Sequence, residues 1–222
     1  IVRRSLTSAS RSARWRSVRS TADGDAINAI ILTTYMRLRT LNVGCFGGGT
    51  GLPSLLGGLK TNPWLLVHAI VTMFDSGGSS RQLRDELGVL PPGDVLRCAL
   101  ALAGDEREAR NVLLARLSMP EHARLRGHTG GNLLLSMMER YSGDFLAAVD
   151  GMRALLGCEG HVWPVTTEPA SICAEYGDGS STRGEVEVDA GQTAGHAITR
   201  LWLEPDVHLH AAAGAAISAL DA

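Results

Sequence analysis

The sequence predicts an α/β protein with a Rossmann-like parallel sheet as its core, a helical insertion and a C-terminal β-rich segment. A short apolar strand, Leu41–Phe46, runs directly into a glycine turn. A second buried strand, Leu65–Phe74, ends in another loop of glycine and serine. Strand–loop–helix units of this kind are typical of parallel sheets that are covered by helices. After Gly160 the apolar residues recur with a period of two, which indicates further strands.

The composition changes near residue 40. Residues 1–20 contain six arginines, six serines and no acidic residue, which is typical of an organellar transit peptide. The alternative is an extended or spurious start, because the chain begins with Ile1 and has no apolar periodicity before Ala26. Under either interpretation, we expect residues 1–40 to be an extended or disordered segment with at most a short helix over Asp25–Arg39. Residues 41–222 then form the folded domain.

Charge and composition exclude several classes of protein. The chain has 222 residues, 45% of them apolar, enough for one globular core. Without the six arginines of residues 1–20 it has 15 basic and 23 acidic residues, and this formal charge of −8 disfavours nucleic acid as a partner. The longest apolar run, Trp64–Met73, is too short to span a membrane. Four widely separated cysteines indicate a reducing, cytoplasmic location rather than a disulfide scaffold.

The first half of the domain alternates strands with helices. Pro53 suits the first turn of a helix that runs to about Lys60, because proline lacks the N–H that such a position leaves unpaired. Asp94 follows a Leu-Pro-Pro-Gly turn and is predicted to cap the next helix. The predicted helices after the second strand are Arg81–Leu87, Val95–Ala103, Glu106–Leu117, Gly131–Tyr141 and Asp144–Leu156.

The second half is predicted to be rich in strands. Gly177-Asp178-Gly179 is a hairpin turn between two of them. The predicted elements are the strands His161–Val165, Ser171–Tyr176, Arg183–Val188 and Ala197–Leu203, and a final helix, Ala211–Leu220.

The loop Gly47-Gly48-Gly49-Thr50-Gly51 is the strongest functional feature of the sequence. Glycines allow close backbone approach, and the amides at the start of the next helix attract phosphate, so the loop predicts a nucleotide or another phosphate ligand. Its spacing does not match the dinucleotide fingerprint, because Leu52 and Ser54 stand where the third glycine would be. Lys60 lies too far along the helix for a Walker A motif. The alternative is a tight turn without a ligand.

Asp75 begins the loop after the second strand, close to Ser79, Ser80 and Arg84. A carboxylate beside phosphate-binding groups fits Mg²⁺, which usually takes one or two carboxylates and phosphate oxygens. Asp75 could equally cap the helix that follows, and the two roles are compatible.

Two further groups contain histidine. His128-Thr129-Gly130-Gly131-Asn132 precedes a helix and offers a polar recognition corner, although Thr129 or Asn132 could simply cap that helix. His208 and His210 would face one way on a strand, and we expect two solvated histidines on an edge strand rather than a metal site.

These loops together resemble the 2-phospho-L-lactate transferase-like superfamily. The resemblance covers residues 41–222, and its nearer branch is the bacterial gluconeogenesis factors, which bind nucleotide sugars. It rests on motifs that occur in order: Gly47–Leu52, Phe74–Ser80, Leu83–Gly88, Leu90–Asp94, His128–Leu134, Gly143–Phe145 and Val162–Thr166.

The resemblance implies a nucleotide sugar (a UDP-sugar) or a GDP-like nucleoside diphosphate as ligand. In one branch the role is regulatory, in carbon metabolism and cell-wall synthesis or cell shape. In the other, a phospholactyl group passes from a guanosine-linked donor to a deazaflavin alcohol with Mg²⁺. Homo-oligomers are compatible with both. Carried over to this chain, the expected ligand-binding residues are Gly47, Gly48, Gly49, Thr50, Gly51, Ser79, Ser80, Arg84 and Asn132, with Asp75 at the metal.

The chain departs from the family pattern in two places. Many relatives have two acidic residues where this chain has Asp75-Ser76, so this chain offers a metal ion one carboxylate fewer at that position. Family members also continue beyond the Ala211–Leu220 helix into another strand, so a domain truncated at its C-terminus is expected.

Overall fold

The computed structural model describes residues 39–222 except 76 and 119–124. Residues Thr40–Ala222 form one compact unit. The predictions for residues 1–38, including most of the helix over Asp25–Arg39, lie outside the described residues.

The described residues form a parallel sheet of three strands in the order β1-β2-β3. A parallel core sheet was predicted, but the strand predicted at residues 161–165 was assigned to the C-terminal β-rich segment and belongs to this sheet instead. The strands are β1 (Leu41–Gly47), β2 (Leu65–Val71) and β3 (Gly160–Pro164). β2 ends three residues earlier than predicted, because its partner β1 ends at Gly47, where a φ of +149° turns the chain away. The amide of Thr72 still donates to the Gly47 carbonyl, and this bond is the end of the pairing.

Helices fill the connections between the parallel strands. The helix Gly93–Leu102 is the centre of the core, since every residue in it except Arg97 is buried. The helix that begins at Glu106 ends at Leu113 instead of the predicted Leu117, because Arg116 and Leu117 pair with His128 and Thr129. The helices are α1 (Gly51–Leu59), α2 (Gly78–Leu87), α3 (Gly93–Leu102), α4 (Glu106–Leu113), α5 (Gly130–Ser142) and α6 (Phe145–Leu156).

An antiparallel sheet follows, in the order β5-β4-β6, with β4 (Ser171–Tyr176), β5 (Ser181–Arg183) and β6 (Ile198–Glu204). The hairpin turn at residues 177–179 is confirmed, with the Gly179 amide donating to the Tyr176 carbonyl. The predicted strand Arg183–Val188 is wrong. Gly184, at φ +106°, ends β5, and α7 (Glu185–Thr193) begins at once, with two glutamates in the first turn where the helix dipole favours them.

The end of the chain corrects the interpretation of the histidine pair. β6 stops at Glu204, before a proline, so His208 and His210 lie in a connection and not on a strand. His208 faces Glu168, with Nδ1 3.3 Å from its Oε1, and His210 caps α8 (Ala211–Ser218) by accepting from the Ala212 amide. The four cysteines are free, and Cys158 alone of them is not fully buried. None of the helices in the described part of the chain is long and apolar enough to cross a membrane.

Candidate functional site

The loops that follow β1 and β2 meet at the carboxyl edge of the parallel sheet, where α/β proteins usually bind ligands. A first cleft of about 390 Å³ opens there, between the start of α2, the start of α3 and the start of α5. A second cleft of about 300 Å³ lies beside it and includes Thr50. Both clefts are lined by Arg97 and Leu114.

Asp94 joins the glycine loop to α3. Its Oδ2 accepts a hydrogen bond of 2.8 Å from the Gly49 amide, and its Oδ1 accepts one of 2.7 Å from Arg97. A Cβ at position 48 would lie 2.5 Å from Asp94 Oδ2 and 2.6 Å from Thr72 Oγ1, so only glycine fits there. Asp94 lies inside the first turn of α3, whose N-cap is Pro92. The prediction of a capping role for Asp94 is therefore wrong, and its carboxylate fixes the glycine loop instead.

Asp75 holds its own loop in place. Its Oδ1 accepts from the Gly77 amide at 2.8 Å, but the N-cap of α2 is Gly77 itself, so the predicted helix cap is wrong. A Cβ at Gly93 would lie 2.9 Å from Asp75 Oδ2 and 2.6 Å from Ser80 Oγ, which shows how closely this loop approaches α3. Among the described residues, no group of three or more His, Cys, Asp or Glu side chains is arranged to hold a metal ion. A site that includes Asp75 would need ligand oxygens to complete it.

A hydrogen-bonded group forms one wall of the first cleft. Ser79 Oγ lies 2.7 Å from Nδ1 of His128 and accepts from Nδ2 of Asn132 at 3.3 Å. Thr129 caps α5 by accepting from the Asn132 amide, so the capping interpretation of this corner holds for Thr129. His128 and Asn132 are 1% and 6% exposed, so the group is a built part of the wall.

The arginines at the clefts were missed from the sequence. Arg97 and Arg116 line the first cleft, and Arg97 and Arg110 line the second. One guanidinium group can donate two parallel hydrogen bonds to two oxygens of a phosphate. The position of Arg97, three residues after Asp94 and so on the same face of one helix, is a signal that could have found it.

The predicted site residues are only partly brought together. Asp75, Ser79, Ser80 and Asn132 line the first cleft, and Thr50 lines the second. Gly47 ends β1 and Gly51 begins α1, with Gly48 and Gly49 held against Asp94 between them. Arg84 does not line either cleft: its Nε donates to Asp85, and it lines two shallow depressions beside Arg183.

The cysteine that directly follows Arg97 in the sequence is not a candidate nucleophile. Cys98 lies on α3 and is completely buried. Burial, followed by the nearby charge of Asp94, raises the pKa of its thiol to about 12. The thiolate is the reactive form of cysteine, and a thiol with so high a pKa stays protonated at neutral pH. Cys98 therefore packs as a small apolar residue.

Fold and site define an α/β protein with a polar, arginine-lined cleft at the carboxyl edge of a parallel sheet. The chain belongs to the family described as 2-phospho-L-lactate transferase CofD, which matches residues 43–222. It is similar to the gluconeogenesis factor of Bacillus subtilis (38% identical over 164 residues) and to that of Halalkalibacterium halodurans (39% over 168 residues). These matches cover 74% and 76% of this chain but 50% of each relative. The chain thus spans about half the length of these curated relatives.

The fold is also similar to a crystal structure of a UPF0052 family member from Bacillus halodurans. The TM-score is 0.75 at 38% identity, and the match covers 82% of this chain and 57% of the other. The family and the α/β fold class expected from the sequence are thereby confirmed.

Proposed function

We propose that this chain binds a nucleotide sugar or a nucleoside diphosphate in the first cleft. The observation that carries the proposal is the convergence of Arg97 and Arg116 with the start of α2 on one polar cleft. Two guanidinium groups and the positive end of a helix favour a diphosphate. Asp75, on the same wall, would take Mg²⁺ together with phosphate oxygens.

The glycine loop has a supporting part in this proposal. The Gly49 amide is already paired with Asp94, so the loop contributes to the site through its shape and through Thr50, which faces the second cleft. The two clefts share Arg97, and a ligand with a diphosphate and a further group would extend from one into the other.

The relatives named gluconeogenesis factor favour a regulatory protein. We infer that ligand binding in the cytoplasm, by a monomer or a homo-oligomer, reports on carbon metabolism and adjusts cell-wall synthesis and cell shape.

The second candidate is a transferase that moves a phospholactyl group from a guanosine-linked donor to a deazaflavin alcohol, as the family description suggests. A flat deazaflavin ring is best held by aromatic side chains, and none of the described residues that line the two clefts is aromatic. That observation favours the first candidate.

Titration calorimetry with UDP-glucose, GDP and nicotinamide adenine dinucleotide, each with and without Mg²⁺, tests the proposal. We expect UDP-glucose and GDP to bind and Arg97→Gln to weaken their binding at least about tenfold, because hydrogen bonds to charged groups contribute about 1.5–3 kcal/mol. Arg140→Gln, on α5 and outside both clefts, is the matched control and should bind like the parent. The proposal fails if neither UDP-glucose nor GDP binds, or if both arginine variants lose affinity equally.

A further inference from the structure

The hydroxyl group of Ser79 lies between two fixed partners in the wall of the first cleft. On one side is Nδ1 of His128, at 2.7 Å, and on the other is Nδ2 of Asn132, at 3.3 Å. Ser79 and Asn132 both line the cleft. The carboxamide oxygen of Asn132 is buried and has no hydrogen-bond partner among the described residues.

The hydrogen-bond roles in this group follow from the donor and acceptor capacity of each side chain. An amide nitrogen only donates, so Ser79 Oγ accepts from Asn132. The bond between Ser79 and His128 can run in either direction, because a serine oxygen can accept twice and the role of Nδ1 depends on the tautomer of the ring. We assign the neutral tautomer in which Nδ1 accepts the Ser79 hydrogen. In that tautomer the Ser79 oxygen and the Asn132 carboxamide oxygen are both left as acceptors for a ligand.

We propose that Ser79 and Asn132 select a hydroxyl group of the ligand, a sugar hydroxyl of either the ribose or the attached hexose. This inference rests on the proposed function and adds the orientation of the ligand. A diphosphate brings only acceptors at neutral pH and is repelled by two acceptor oxygens, so the phosphates lie toward Arg97 and Arg116. His128 is a positioning residue, because it takes the Ser79 hydrogen and so fixes the direction of both bonds.

An unpaired buried oxygen needs an explanation, because a polar group that is buried without a hydrogen-bond partner destabilises the fold. A ligand hydroxyl that fills the cleft supplies the missing donor after a small rotation about the broad terminal torsion of Asn132. Ser136, one turn further along α5, also has a buried and unpaired hydroxyl, but it does not line the cleft. Ser136 therefore provides a matched control for loss of a buried polar group from the same helix.

The test is a double-mutant cycle between protein and ligand, read by calorimetry. The probes are inorganic pyrophosphate, UDP and GDP, the 2′-deoxy and 3′-deoxy forms of both nucleotides, UDP-glucose, and its 2″-, 3″-, 4″- and 6″-deoxyglucose forms. We expect the parent to bind at least one hydroxyl-bearing probe about tenfold more tightly than the same probe without that hydroxyl. The deoxyribose forms identify a ribose hydroxyl, and the deoxyglucose forms identify a hexose hydroxyl.

In Asn132→Leu this preference should fall to within about twofold, with pyrophosphate affinity unchanged. Ser79→Ala removes the bond that orients the amide and should lower the preference at least threefold. His128→Phe should lower it similarly, whereas His128→Gln keeps an acceptor for Ser79 and should retain it. Ser136→Ala should leave the preference at the parent value.

Each outcome decides between the two proposals. Binding of UDP without any hydroxyl preference, or a preference that survives in both Asn132→Leu and Ser79→Ala, would overturn this inference alone. If Asn132→Leu loses pyrophosphate and UDP equally, Asn132 contacts phosphate and the inference is also wrong. If the parent binds none of the probes, the proposed function fails and this inference fails with it.

Discussion

The carboxylate of Asp94 accepts a 2.8 Å hydrogen bond from the backbone amide of Gly49, 45 residues earlier in the chain. Through this bond a buried side chain on α3 holds the loop that follows β1. The same carboxylate is paired with Arg97, which faces both clefts. The shape of the glycine loop and the position of a cleft arginine therefore depend on one acidic residue.

Asp94→Ala should lower the free energy of unfolding by about 2 kcal/mol, because it leaves the Gly49 amide and Arg97 without their charged partner. Urea unfolding measures the change. Asp150→Ala is a matched control, since Asp150 and Arg153 form the same i,i+3 helix pair at 2.6 Å. The side chain of Asp94 is 6% exposed and that of Asp150 is 52% exposed, so the control should lose less than about 1 kcal/mol. Equal losses of unfolding free energy in the two variants would show that Asp94 contributes no more to stability than an exposed ion pair does.

The metal role of Asp75 has a separate test. Asp75→Asn should weaken UDP or GDP binding at least about tenfold in Mg²⁺ but hardly change it in chelator, because the amide is a poorer magnesium ligand than a carboxylate. Its stability should stay near the parent value, since the asparagine oxygen can still accept from the Gly77 amide. Calorimetry and urea unfolding give the two numbers. Identical affinities with and without Mg²⁺ in the parent would remove the metal from the site.

Most of the fold was predictable from two patterns: the glycine-rich turns that separate the elements and the regular spacing of apolar residues within them. The loop after β1 and the hairpin at residues 177–179 follow from local residue types, so they could be read directly. The strand predicted over Arg183–Val188 failed because Val186 and Val188 alternate as in a strand. The left-handed turn at Gly184 and the acidic first turn of α7 favoured a helix instead.

The site was less predictable than the fold, because its residues come together only through tertiary contacts. Asp75, Ser79, Ser80 and Asn132 were predicted from the motifs in their loops, and the structure places all four in the lining of the first cleft. The pairing of Asp94 with Gly49 joins positions on different elements, and no local pattern shows it. The sequence also could not show that Arg84 faces away from the cleft while Arg116 faces into it, since this depends on how α2 and the segment after α4 pack.

A stack of aromatic rings on the parallel sheet should make stability depend on pH. The rings of His68, His161 and Trp163 lie nearly parallel to one another. The centre of the His161 ring is 4.9 Å from that of His68 and 5.4 Å from that of Trp163, and Trp163 donates to Nδ1 of His68. Burial, with Arg153 adding to it, lowers the pKa of both histidines from 6.5. The unfolded chain therefore takes up protons first as the pH falls below about 6.5, and this part of the stability is lost until the folded histidines also protonate.

Urea unfolding between pH 8 and pH 5 measures that loss in the parent protein. His161→Phe should be less sensitive to pH over this range, because it keeps a stacked ring without an ionisable group. His208→Asn is the control, since the side chain of His208 is 90% exposed. If the slope of stability against pH is the same in His161→Phe as in the parent, the stack does not contribute to it.

Glu139 should show the opposite dependence on pH. On α5, its Oε1 accepts from the Leu90 amide at 3.3 Å, while its Oε2 is buried without a partner among the described residues. Burial raises the pKa of this carboxyl above 4.5, so its contribution to stability is complete below pH 4.5 and is lost as the pH rises through the folded pKa.

Glu139→Gln keeps an acceptor for Leu90 and removes the buried charge. We expect it to raise the free energy of unfolding at pH 7.5, by up to about 1 kcal/mol, and to have no such effect at pH 4. Urea unfolding at the two pH values, with Glu159→Gln as control, measures this difference. A variant that is less stable than the parent at pH 7.5 would mean that the charge of Glu139 strengthens its bond to Leu90 by more than its burial costs.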